Sequence, residues 1–153
     1  MFKFLSLYTC FGLIHELSGY DIPRKKVQPR AEVCSYIHEK SLEHKLDPNL
    51  SLAIGWLEST YTYKTGRPVT TRSGRVLHAE GPLQVLKYYH CRKNPDCDTV
   101  EVGVKLLKRL TDKYGLKKGL AIYAGGYENP KSLRYARFAI SISRKVKKIR
   151  AGF

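Results

Sequence analysis

Acidic side chains are scarce in this chain: 13 Asp and Glu stand against 28 Lys and Arg, a formal charge of +15. That excess attracts anionic polymers, whether nucleic acid, anionic lipid or the phosphate-bearing envelope of bacteria, and charge alone does not choose among them. Other absences narrow the field. No Cys-x-x-Cys pair is present, and His38 and His44, or His78 and His90, lack metal-ligand spacing, so no zinc site is expected. No helix-turn-helix or zinc-finger signature accompanies the charge, so no specific nucleic-acid partner is expected. No internal repeat or low-complexity tract occurs. The longest apolar run, residues 4–14, stops at His15 and Glu16 and is too short to span a membrane. What remains is 153 residues that are 42% apolar with a single Trp, which suits one soluble globular domain, expected to be a monomer.

Two readings stand for residues 1–22. One early Lys followed by an apolar run has the form of a secretory leader, although no Ala-x-Ala cleavage site follows. The other reading is an N-terminal core helix. Residues 23–30 read as a basic, Pro-bounded linker, and residues 31–153 as the main domain. Of the four cysteines, Cys91 and Cys97 enclose a short loop of turn formers and are expected to pair. Cys34 is left over if cleavage removes Cys10.

The chemistry begins at residues 50–58, LSLAIGWLE, followed by SerThrTyrThrTyr. Asp47 and Pro48 are good helix starters, and Leu50, Ala53, Ile54 and Leu57 follow helical spacing toward a core. Glu58 then sits where packing meets solvent. A carboxyl held against apolar groups resists ionisation, so it can donate a proton near neutral pH. The alternative for a lone Glu at a helix end is a solvated side chain.

Three segments in order argue for the chemical reading. Residues 46–61 carry Glu58, Ser59 and Tyr61; residues 80–85, GluGlyProLeuGlnVal, carry Gly81, Leu83 and Gln84; residues 121–126, AlaIleTyrAlaGlyGly, carry Tyr123 and Gly126. Together they resemble the catalytic domain of soluble lytic transglycosylases and goose-type lysozymes, over roughly residues 31–145. Pro82 stands where Leu is usual in that family, and Ala124 replaces an Asn. The resemblance implies an α+β, mainly α, lysozyme-like fold with a small β-hairpin near the active site, and Glu58 as the catalytic acid. It also implies that Ser59, Tyr61, Gln84, Tyr123, Gly126 and Tyr127 contact substrate, with Ser59 bonding Glu58. Glu80 is a candidate second carboxylate, or a loop Glu that offsets Arg72 and Arg75. The implied substrate is the peptidoglycan glycan strand, no metal or organic cofactor is called for, and the implied location is periplasmic, secreted or virion-associated.

Helices are expected over residues 31–46, 83–90, 99–114, 117–124 and 130–149, besides the one carrying Glu58. The polar stretch 61–79 reads as a hairpin around Ser73 and Gly74, or as an irregular loop. The last helix has eight basic residues from Lys131 onward and no acidic one, with Leu133, Ala136, Ile140, Ser143 and Val146 on a packed face. Its other face is expected to hold the protein on an anionic bacterial envelope. Besides the transglycosylase, the charge permits a hydrolytic muramidase, a non-enzymatic cationic envelope binder, or a nucleic-acid binder.

Overall fold

The computed structural model describes residues 5–92 and 94–153. Residues 1–4, the start of the candidate leader, and Lys93 in the Cys91–Cys97 loop lie outside it. The chain forms α1 (Leu7–Ser18), α2 (Arg24–Glu43), α3 (Pro48–Ser59), β1 (Thr65–Thr70), β2 (Val76–Glu80), α4 (Lys87–His90), α5 (Thr99–Tyr114), α6 (Leu116–Ala124) and α7 (Pro130–Ala151). It is mainly helical, with one two-stranded antiparallel sheet.

Local chemistry accounts for the helix limits. The Asp47 carboxylate accepts from Asn49 N, with Pro48 in the first turn of α3. Asp98 accepts from Val100 N and Glu101 N at the start of α5, and Asn129 from Lys131 N before Pro130. Such caps pair backbone donors that the helix leaves open. The expected linker at 23–30 is instead the first part of α2. Pro23 precedes the first turn, where its fixed φ favours helix entry. Pro29 removes one donor inside the helix, and burial of Val27, Ala31 and Cys34 on one side offsets that loss. The expected helix over 83–90 shrinks to α4, because Val85 turns back to bridge Glu80.

Helix α3 is the centre of the core: residues 50–55 are all buried. It packs against α2 and α7, while α5 packs against α2 and α6, and α6 against α7. Helix α1 lies on α2 and α7, with Cys10, Leu13 and Ile14 fully buried and Cys10 disulfide-bonded to Cys34. The apolar N-terminal segment is therefore a packed helix in this structure. Cys91 and Cys97 form the second bridge. The hairpin pairs Thr70 with Val76, Val69 with Leu77 and Pro68 with His78, then slips through an irregularity to pair Thr65 with Glu80.

The C-terminal end of α7 is clamped by Arg150. It donates to Asn49 Oδ1 at 2.6 Å, next to the α3 cap, and to His38 Nε2 at 3.0 Å on α2. Accepting from Arg150 requires an unprotonated Nε2, and the proton on Nδ1 has no partner among the described residues. Burial, then the Arg150 charge, push His38 down to about pKa 4.

Two outcomes follow for stability. Removing the Cys10–Cys34 bridge, which closes a 24-residue separation, by the double substitution Cys10→Ser/Cys34→Ser should cost about 3 kcal/mol in urea unfolding. For His38, the unfolded chain binds a proton at higher pH than the folded one. Its contribution to stability is thus present above the unfolded value of 6.5 and lost as pH falls toward about 4. Urea midpoints measured from pH 7 to pH 4 should fall in the native protein. They should fall less in His38→Gln, which has no imidazole to charge.

Candidate active site

The C-terminus of α3 turns back sharply on itself. Thr60 and Tyr61 both take left-handed backbone (φ 52° and 61°), and the chain doubles under the helix. Arg30 of α2 donates to the Thr60 carbonyl at 2.6 Å, and Ser59 Oγ donates to Gly55 O and accepts from Thr62 N. The turn sends Tyr61 into the core, where it is fully buried and its hydroxyl donates to Leu52 O at 2.9 Å. Gly55 makes the room: a Cβ there would stand 3.1 Å from the Tyr61 ring and 2.7 Å from Ile37 Cδ1. Ser59 and Tyr61, both expected to serve substrate, are thus occupied in closing the helix and filling the core.

Glu58 is left half-buried at the helix exit, facing a cleft of about 290 Å³. Gln84, Tyr123 and Gly125 line the same cleft, together with Arg67 and Val69 of the hairpin, His90 of α4 and Leu106 of α5. The structure thus brings Glu58, Gln84 and Tyr123 together. The Tyr123 hydroxyl donates to Leu83 O, which fixes the ring against the cleft wall. Gln84 has positive φ (52°) and donates through Nε2 to Lys64 O and Gly81 O, both at 3.0 Å. Its Oε1 packs on the hairpin at Gly66, where a Cβ would fall 2.1 Å from it.

The remaining expected residues lie elsewhere. Glu80 lines two other grooves with Thr65 and Lys87, and does not line the Glu58 cleft. Its backbone pairs with Val85, which fixes that orientation. Tyr127 lines a separate hollow beside Tyr114, and the Lys118 ammonium covers its ring at 4.3 Å from the centroid. Gly126 has φ 137° and does not line the cleft; its neighbour Gly125 does.

Sequence reasoning missed Tyr135. From α7 its hydroxyl donates to Glu58 Oε1 at 2.5 Å, a bond that favours the ionised carboxyl. The Lys64 charge acts in the same direction. Burial opposes both and dominates, so the Glu58 pKa lies above the ordinary carboxylate value. Burial and the nearby Glu58 charge hold the Tyr123 and Tyr135 hydroxyls protonated far above neutral pH. Desolvation, then the Arg109 charge, shift the exposed His90 down. The signal for Tyr135 was its place three residues after Ser132 and four before Ala139, on the flank of the packed face, where a buried phenol needs an acceptor. Arg67 and His90 carried no such signal, because only the hairpin register and the short α4 bring them to the cleft.

Among the described residues, Glu43, His44 and Glu101 could approach one cation, with ligand atoms within 4.8 Å of one another. Lys40 already donates to Glu43, and His44 bonds Glu101, each at 3.0 Å, so the group is satisfied internally. No family model, curated protein or solved structure matches the chain.

The arrangement around Glu58 can hold one proton, release it to a bound group and take one back, with Tyr135 orienting the carboxyl. Tyr135→Phe should therefore raise the Glu58 pKa further, because the bond it removes favours the carboxylate. Carbon-13 NMR titration of the Glu58 carboxyl reads that shift directly. An unchanged or lower value would show that the bond does not favour the ionised form.

Proposed function

We propose that this chain adopts a lysozyme-like fold and cleaves the β-1,4 bond between N-acetylmuramic acid and N-acetylglucosamine in peptidoglycan, as a lytic transglycosylase. The observation that carries this reading is Glu58: a single carboxyl with a raised pKa, bonded to Tyr135, in a cleft shared with Gln84 and Tyr123. Glycosidic oxygen is a poor leaving group until it receives a proton, and a carboxyl kept neutral by burial supplies one. Glu58 protonates that oxygen as the bond to the anomeric carbon breaks. The resulting carboxylate then takes the proton of the muramyl 6-hydroxyl, whose oxygen closes on the anomeric carbon as a 1,6-anhydro ring. The proton count on Glu58 is restored, and no second carboxylate is needed.

The place of Glu80 favours this route over hydrolysis. A hydrolytic glycosidase generally sets a second carboxylate across the bond to activate water or hold charge, and Glu80 faces other grooves. Two disulfides suit an oxidising compartment, in keeping with a periplasmic, secreted or virion-borne enzyme.

Digestion of purified peptidoglycan followed by mass spectrometry of the muropeptides tests the reading. The native protein should release anhydro-muramyl ends. Glu58→Gln should lose activity by about a thousandfold, within the usual range for a general acid–base group. Because the first step needs the neutral carboxyl, native turnover should fall as pH rises through the raised Glu58 pKa. Reducing ends in place of anhydro ends would make the enzyme a muramidase, and no cleavage by the native protein would remove the enzymatic reading.

A further inference from the structure

Helix α7 buries one face and, among the described residues, leaves the other unpartnered. Ser132, Ala136, Ala139 and Val146 are buried on the packed side. Opposite them, Arg134, Arg137, Arg144, Lys145 and Lys148 are exposed and fall within about 60° of Ser141 around the helix axis, at about 100° per residue. Phe138 shares that face and is 56% exposed. No acidic residue lies between Lys131 and the C-terminus. Among the described residues the side-chain ion pairs are Lys40–Glu43, His44–Glu101 and Lys108–Asp112, so none of these five cations meets a carboxylate.

We infer that this face of α7 binds the phosphodiester headgroup surface of an anionic lipid bilayer, with the helix lying in the plane of the interface. The cations supply long-range attraction to the surface and short contacts to phosphate oxygens. Phe138 favours a lipid surface over a soluble polyphosphate, which offers no base to stack on the ring. An exposed aromatic ring beside Arg134 and Lys145 gains nothing from a hydrated polyphosphate, whereas at a bilayer it enters the boundary between headgroups and acyl chains. The helix is held by Tyr135, the Arg150 clamp and its buried face, so it adsorbs as a preformed element with no ordering cost. No described helix is long and apolar enough to cross a membrane. The inference does not depend on the enzymatic reading, since none of these residues lines the Glu58 cleft.

Co-sedimentation of the full chain with vesicles at 150 mM salt tests it. The protein should pellet with 3:1 phosphatidylcholine–phosphatidylglycerol vesicles and stay in solution with pure phosphatidylcholine. Arg137→Gln/Arg144→Gln/Lys145→Gln should weaken partitioning about 100-fold, from about fivefold for each cation. Phe138→Ala and Phe138→Ser should each weaken it severalfold, with thermal melts matching the native protein because the site is solvent-facing. Equal partitioning of native and Phe138 variants would overturn the inference in favour of a surface for soluble polyanions. Failure of the native protein to pellet with the anionic vesicles would overturn it outright.

Discussion

Everything at the candidate site depends on the corner after Glu58. Tyr61 takes a left-handed backbone, which costs a non-glycine residue roughly 1–2 kcal/mol, and Thr60 beside it does the same. Burial of the whole Tyr61 ring, worth about 1.5–3 kcal/mol for a large side chain, offsets that cost, and the hydroxyl finds Leu52 O inside the core. Trp56 meets the ring edge-on at 5.6 Å, and Arg30 ties the corner to α2. The plug pulls the chain beneath α3, so the helix ends one residue past Glu58. Without that turn, Glu58 would sit in mid-helix rather than at the exit facing the hairpin.

The electrostatics at Glu58 are a contest between burial and two partners. Tyr135 and Lys64 both favour the carboxylate, and loss of water disfavours it more strongly. A fully buried, unpartnered carboxyl would hold its proton too tightly to give it up, while an exposed one would have lost it already at neutral pH. That contest draws on elements distant in sequence: α3 carries the acid, the segment before β1 carries Lys64, and α7 carries Tyr135. Its balance is therefore a property of the packed whole.

The legibility of this chain in its sequence follows the range of the interactions involved. Where caps and periodicity are local, as for Asp47–Pro48 before α3, the helix start was read from neighbouring residues, and the ranges 99–114 and 130–149 were read from periodicity. The hairpin around Ser73 and Gly74 was one of two readings of that stretch, beside an irregular loop. Proline misled at residues 23–30, because a Pro inside a helix is tolerated when tertiary burial compensates. At the site, Glu58, Gln84 and Tyr123 were nameable, and the structure places them in one cleft. Tyr61 was misassigned because an aromatic beside a helix end suits a sugar platform and a core plug equally well. For Glu80 the sequence left a second carboxylate and a loop Glu both open, because the backbone bridge to Val85 that places it outside the cleft is invisible in sequence.

Gly66 and Gln84 form a pair. The Gln84 amide nitrogen is pinned to Lys64 and Gly81, so its oxygen cannot swing clear of a side chain at position 66 without breaking those bonds. The Ala79 carbonyl, 3.3 Å from the same spot, closes the other way out. A larger residue at 66 would thus displace the Gln84 amide from its bonds to Lys64 and Gly81, although the two positions lie on separate segments. The two positions are therefore coupled, so that a change at one alters which side chains the other can hold at the cleft.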